Sequence, residues 1–168
     1  MKAPIDFRMM GEKDLKAFSE IRNLSREWLH DTNEYSLKET TEWWHDNEEN
    51  GEGPCYWVIT YFGDVIGYFR VDIVDEYPMA TTDDDIMIGA DLHPTFRGKG
   101  IAKSLYPEFI RFLIRAFDFQ NFYLRVKSHN IRAGKLYVSL GFKQIESPND
   151  RDDILMLMTQ EEFRDIYG

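Results

Sequence analysis

Apolar residues recur along this chain at two periods, and each switch between them marks an element boundary. "IDFRMM", Ile5 to Met10, alternates as a first strand would. Leu15, Phe18, Ile21, Leu24 and Trp28 then return at three- and four-residue steps, which predicts one buried helical face. Ser36 and Glu39 read as a capping box for a second helix through "TTEWWHD", ended by the turn formers of "NGEGP". "CYWVITYFGDVIGYFRVDIV" is a pair of aromatic and β-branched runs around Gly63-Asp64, the signature of a hairpin. An acidic loop, Asp83 to Asp85, leads into "IMIGADL" as a further strand.

Ile101, Leu105, Phe109, Phe112, Leu113 and Phe117 mark one stripe of a long helix. Pro107 lies inside that stripe and removes a helical hydrogen bond, predicting a kink near Lys103. "NFYLRVKS" is a strand, and "NIRAGKLYVSLG" a short helix opened by Asn130 and terminated by a left-handed Gly141. "FKQIE" and "DILMLM" form a closing strand pair, and Thr159 with Glu162 cap a tail helix. No linker, repeat or low-complexity run interrupts residues 1–168. One α/β domain with a mixed central sheet is expected.

Composition narrows the class. At 168 residues and 43% hydrophobic, the chain can bury a real core and is too apolar for disorder. No apolar run approaches the roughly 20 residues that cross a bilayer, and Asp6 and Arg8 stand where a secretory signal would be apolar. A single cysteine, Cys55, precludes an internal disulfide framework and argues against zinc, so no metal and a cytoplasmic location are expected. A formal charge of −10 repels phosphate over most of the surface, against nucleic-acid binding. Yet Leu92 to Ile145 holds ten Arg and Lys and only two acids, Glu108 and Asp118. Half of the cations share that stretch, which suggests a local anion site rather than a uniform surface.

"HPTFRGKGIA", His93 to Ala102, sits at its start. A helix N-terminus bears unpaired N–H groups and the positive end of the peptide dipoles. Gly98 and Gly100 let a bulky anion approach those amides, and Arg97 and Lys99 add charge-assisted bonds, a combination that suits a diphosphate. A strand-to-helix turn with strain-relieving glycines would look similar. The spacing matches neither the Walker loop nor the dinucleotide fingerprint.

Arg97-Gly98-Lys99-Gly100-Ile101-Ala102 resembles the R/Q-x-x-G-x-G/A signature of the GNAT family of N-acetyltransferases. Asn130-x-x-Ala133-x-x-x-Tyr137-x-x-x-Gly141-Phe142 resembles that family's second signature. The resemblance implies a single GNAT-like domain whose central, mixed, mostly antiparallel twisted sheet has about seven strands flanked by helices. It implies acetyl-CoA as co-substrate, its diphosphate on the amides of Arg97 to Ala102 and its pantetheine arm along backbone near Leu92 and His93. Asn130 would bond that arm near Ala133, and Lys135 or Arg132 would meet the 3′-phosphate.

Amine acetylation needs a neutral amine beside the thioester, a stabilised oxyanion and a proton for the departing thiolate. Backbone N–H near Leu92 is the candidate for the oxyanion. Tyr137 is the candidate general acid, with an ordinary pKa near 10 that suits a thiol leaving group, although a core aromatic would read the same way. For the base, Asp85, Met87, Gly89 and Asp91 share a strand face, with Asp91 ranked ahead of Asp85. His93 and His129 read as turn and loop residues. Trp28, Tyr35, Trp43 and Trp44 with Asp31, Glu34, Glu39 and Glu42 offer rings and carboxylates to a cationic amine, as well as to a core. The acceptor expected is a primary amine of a small molecule such as an amino sugar or polyamine. A peptide N-terminus and a non-catalytic acetyl-CoA sensor are the alternatives, and the protein is expected to be a monomer or homodimer.

Overall fold

The strands join in the order β1-β2-β3-β4-β5-β7-β6, giving one seven-stranded mixed sheet. A computed structural model describes residues 4–51, 53–74, 84–145 and 152–168. Asp83 of the acidic loop and Glu146 of "FKQIE" lie outside the described residues. In chain order the elements are β1 (Ile5–Met9), α1 (Leu15–Ser25), α2 (Leu37–Asn50), β2 (Cys55–Tyr61), β3 (Asp64–Ile73) and β4 (Asp85–Leu92). They continue with α3 (Ile101–Phe117), β5 (Asn121–Lys127), α4 (Ile131–Leu140), β6 (Lys143–Ile145), β7 (Asp153–Thr159) and α5 (Gln160–Tyr167). Strands β1, β2 and β3 pair antiparallel, as do β5, β7 and β6, whereas β4 and β5 run parallel. The chain divides into two compact units, Met1–Val71 with Ala90–Lys99 and Asp72–Gly89 with Gly100–Gly168.

The first unit is organised by α1. Leu15, Phe18 and Ile21 bury against Met10, Val58 and Tyr68, with Trp43, Trp44 and Tyr56 packed on the same cluster. Leu24 departs from the expected face: it is 47% exposed, while Ser25 is fully buried. At about 100° per residue, the stripe through Phe18 and Ile21 continues to Ser25 and leaves Leu24 on the other side. Trp28 belongs to a separate 3₁₀ turn, Arg26–Trp28. Ser36 and Glu39 close the capping box that opens α2, at 3.1 and 2.7 Å.

The hairpin turns one residue earlier than the sequence suggested. Its two-residue loop is Phe62-Gly63, with φ of 48° and 90°, and Tyr61 pairs with Asp64. Positive φ at both positions matches the twist of antiparallel strands, so the turn holds Phe62 in a backbone region it otherwise avoids. The β2–β3 register shifts between Ile59 and Thr60, leaving Ile66 outside the pairs as a bulge. Its carbonyl accepts from His93 N–H at 2.7 Å. At the start of the unit, Arg8 donates twice to the Asp14 carboxylate, at 2.8 and 2.9 Å. Those bonds hold the Asp14 carboxyl below the usual carboxylate range.

The second unit pairs β5 with β7 along its whole length, Asn121 opposite Thr159 through Lys127 opposite Asp153. Helix α3 runs on through Pro107 to Phe117, so the missing N–H does not break the helix. Leu105, Phe109 and Leu113 are buried, whereas Phe117, the last helical residue, is exposed. Thr159 and Glu162 form the capping box of α5 as expected.

Gly141 terminates α4 at φ 112°, as expected of a left-handed cap, and a Cβ there would press on Ile166 Cδ1 and Met158 Sδ. The Gly141→Ala substitution therefore incurs mainly backbone strain, since the exposed end of Ile166 can swing aside. It should cost about 1–2 kcal/mol in a denaturant titration, against a few tenths for an unstrained glycine change.

Candidate active site

The end of β4 carries a half-buried carboxylate. Tyr68 Oη, from β3, donates to Asp91 Oδ2 at 2.5 Å. Burial pushes the Asp91 carboxyl above the usual range, against the opposing pull of the Tyr68 bond and of Arg97, Arg22 and Arg70. Burial likewise raises the Tyr68 phenol well above its ordinary value, reinforced by the Asp91 charge. The bond depends on β3 lying tight against β4: a Cβ on Gly67 would come within 2.5 Å of Asp91 O and 2.7 Å of Leu92 Cδ2. A glycine inside a strand pattern signals such an approach, and it was the available sequence clue to this pairing.

Rings crowd the same unit. Phe18 lies 4.7 Å from Tyr68 and 5.0 Å from Tyr56 between centroids, and it stacks on Trp43 at 5.8 Å. Arg22 covers the Tyr35 ring at 4.7 Å and pairs with Asp31 at 3.4 Å, while Tyr35 Oη donates to Asp31 Oδ2 at 2.6 Å. Of the aromatics named from the sequence, Trp43 and Trp44 pack on each other and on the α1 cluster, while Tyr35 is engaged by Arg22 and Asp31. Glu34 is exposed and pairs with Arg26 at 2.8 Å.

After β4 the chain turns through Pro94–Phe96. His93 Nδ1 accepts from Thr95 N–H at 3.2 Å, so His93 is the turn residue the sequence suggested. With its own N–H given to Ile66, the His93 amide is not the oxyanion donor. Arg97 folds back: Nε donates to Leu92 O at 3.0 Å and Nη2 to Ser25 Oγ at 2.8 Å. Its guanidinium thus ties the turn to α1 and explains why Ser25 is buried. Lys99 lies 5.5 Å from the Phe96 ring centre and is exposed.

Gly98 and Gly100 have φ of 72° and 77°, a conformation in which a side chain would be strained. Gly100 is the N-cap of α3 and supplies no side-chain cap. The first helical bond is Ser104 N–H to Gly100 O at 3.1 Å. The amides of Ile101 and Ala102 precede it, at the positive end of the helix.

In the second unit, the parallel β4–β5 ladder covers three pairs, Asp85–Asn121, Ile86–Phe122 and Met87–Tyr123. Asp85 is buried and accepts from Asn121 Nδ2 at 2.6 Å, a bond that anchors the strand start. That placement sets Asp85 aside as a base. Asn130 caps α4, its Oδ1 accepting from Ala133 N–H at 3.3 Å, as its position predicted. Lys135 and Arg132 are exposed on the same helix, and His129 is exposed before it. Tyr137 is buried, edge-on to Tyr106 at 5.7 Å and to Phe142 at 6.1 Å. The two tyrosine oxygens stand 3.5 Å apart. Among the described residues no cluster of His, Cys, Asp or Glu could hold a metal ion, and no helix is long and apolar enough to cross a membrane.

A sequence model of the acetyltransferase (GNAT) family matches residues 15–142. The chain belongs to the GNAT acetyltransferase family. Both signatures read from the sequence fall within that match. Among curated proteins nothing matches this GNAT acetyltransferase. Among solved structures, aminoglycoside acetyltransferase AAC(6')-Ib with coenzyme A and kanamycin is similar at TM-score 0.80 and 21% identity, over 98% of this chain and 99% of that one. Spermidine N-acetyltransferase from Vibrio cholerae, with CoA and spermine, is similar at 0.77 and 18%, over 97% and 99%. Phosphinothricin acetyltransferase from Sinorhizobium meliloti, with AcCoA, is similar at 0.73 and 21%, over 94% and 89%. At these identities the likeness is one of fold: the α/β architecture and seven-strand mixed sheet are those of GNAT acetyltransferases.

Proposed function

We propose that the protein transfers the acetyl group of acetyl-CoA directly to a primary amine of a small molecule. The observation that carries this reading is Asp91, a carboxylate made more basic by burial and held by Tyr68 at the end of β4. A base tuned upward toward neutrality can take a proton from an ammonium acceptor and release the nitrogen lone pair. The family match across residues 15–142 draws on both compact units, which supports reading 1–168 as one acetyltransferase domain.

Acetyl-CoA supplies an activated acyl carbon and a thiolate leaving group, and the remaining roles fall to this chain. The left-handed Gly98 and Gly100 and the uncapped start of α3 suit a diphosphate, held by amides from Gly98 to Ala102. Arg97 shapes that turn by its bonds to Leu92 and Ser25, while exposed Lys99 remains the cation nearest in sequence to the phosphates. Asn130 uses Oδ1 on its own helix, so its Nδ2 is the donor toward the pantetheine arm. Lys135, one turn further on, is assigned to the 3′-phosphate. Asp91 takes the ammonium proton, the neutral nitrogen attacks the thioester carbonyl, and the C–S bond breaks with its electron pair on sulfur. Tyr137 donates its proton to that sulfur, and the surplus proton of the new amide nitrogen returns, through solvent, to the Tyr137 oxygen, while Asp91 releases its proton to water.

Kanamycin and spermine in the similar structures support amino sugars and polyamines as the first acceptors to try. Thiol release from acetyl-CoA would be followed across polyamines, amino sugars, aminoglycosides, amino acids and N-terminal peptides, alongside calorimetry with CoA. Release with a small amine is the expected result. Coenzyme binding without release anywhere in the panel would make the protein a sensor, and release with peptides alone would move the acceptor to proteins.

A further inference from the structure

We propose that Tyr68 is the positioning residue of Asp91, holding one carboxylate oxygen so that the other is fixed for the acceptor's proton. This rests on Asp91 being the base. The observation is geometric: a buried tyrosine on β3 donates a 2.5 Å hydrogen bond to a carboxylate on the adjacent strand, 23 positions along the chain. The close approach of Gly67 to Asp91 O and Leu92 fixes the spacing of those strands at the residue next to Tyr68. The Tyr68 ring is itself immobilised by Phe18 at 4.7 Å and Tyr56 at 5.7 Å. A donor so confined has little rotational freedom to lose when it bonds, so the carboxylate's plane is set before any substrate arrives.

The electrostatics agree. Desolvation favours protonated Asp91, and the groups opposing it come from every neighbouring element: Tyr68 and Arg70 on β3, Arg22 on α1 and Arg97 on the turn after β4. Tyr56 on β2 acts on the dyad through Tyr68. Of these, Tyr68 donates the hydrogen bond to the carboxylate, and its effect is the strongest of the opposing ones. The arginines act through their charge. Removing the hydroxyl alone leaves burial less opposed, and Asp91 should hold its proton to higher pH. During turnover Tyr68 keeps its own proton, and the acceptor's proton goes to Asp91.

The test compares wild type, Tyr68→Phe, Asp91→Asn and the double variant. The pH profile of kcat/KM is measured for each, and the ¹³C signal of the Asp91 carboxyl, assigned by its loss in Asp91→Asn, is titrated without substrate. In Tyr68→Phe we expect the acid limb and the carboxyl titration to move together to higher pH. The rate at neutral pH should fall about 10-fold, because a misoriented reacting group commonly costs that much or more. In an Asp91→Asn background, Tyr68→Phe should add little, since the two act as one unit. An unmoved titration and limb in a folded Tyr68→Phe, with the limb still lost in Asp91→Asn, would overturn the positioning role and leave the base intact. A limb that survives Asp91→Asn would overturn both. Because the carboxyl titration needs no acceptor, it reads the Tyr68–Asp91 bond even if the amine panel yields no turnover, and an unchanged signal there overturns the role by itself.

Discussion

Asp91→Asn should lower kcat/KM about 10²–10⁴-fold, the usual contribution of a positioned general base, with no loss of melting temperature at neutral pH. The amide keeps the carboxylate's shape, and its Oδ1 can still accept from Tyr68, so the packing of β3 on β4 persists. What disappears is the site that takes the ammonium proton. The stability arm follows from the direction of the Asp91 shift. A carboxyl whose folded pKa lies above its unfolded value contributes stability that is fully present below the unfolded value. That stability is lost as pH rises through the folded value. Wild type loses that stability as Asp91 ionises, and the asparagine variant has no such group to ionise. The difference in melting temperature, variant minus wild type, should grow from acid toward neutral pH. Asp14, Asp31 and Glu162 shift in the opposite direction, but equally in both proteins, and so cancel in the difference. Inactivity with a lowered melting temperature would mean a folding defect, and unchanged kcat/KM would remove Asp91 from the chemistry.

Tyr137→Phe should lower kcat about 10²-fold or more while coenzyme affinity by calorimetry stays within a factor of a few. Phenylalanine preserves the edge-on packing with Tyr106 and Phe142, so the fold has little to lose. The Tyr106 contact to the Tyr137 oxygen is long, at 3.5 Å, and contributes little on its own. The hydroxyl's value lies in donating a proton to the departing thiolate, an interaction made only as the C–S bond breaks. Lost acid catalysis then appears in kcat rather than in binding. Tyr106→Phe is the control: it alters the same pair of oxygens and should leave kcat near that of wild type. Equal losses in both variants would make the tyrosine pair structural, and an unchanged kcat in Tyr137→Phe would end the acid assignment.

Local signals in the sequence anticipated much of this. The capping boxes at Ser36 and Thr159, the Asn130 cap and the Gly141 terminator are contacts among residues within four positions, and all four are present. Where the reading slipped, a neighbour in space had intervened. Leu24 obeys the helical spacing, yet Ser25 takes the buried place because Arg97, 72 residues away, reaches its hydroxyl. Strand alternation put Asp85 and Asp91 on one face, but it could not show that Asn121 would engage Asp85 and Tyr68 engage Asp91. Arg97 was expected to add a charge-assisted bond to a diphosphate, whereas its side chain braces the turn through Leu92 O and Ser25 Oγ.

By itself, then, the order of amino acids determined the succession of elements, their caps, the glycine-bearing turn at Arg97–Ala102 and the family that turn announces. These depend on periodicity and on bonds closed within a few residues, which a linear text records. Only the tertiary structure decided which carboxylate meets a hydroxyl, which hydroxyl holds it and which arginine is turned inward. Those outcomes depend on strand register and on water excluded by distant parts of the chain, and a shift of one residue in pairing would reverse every one of them.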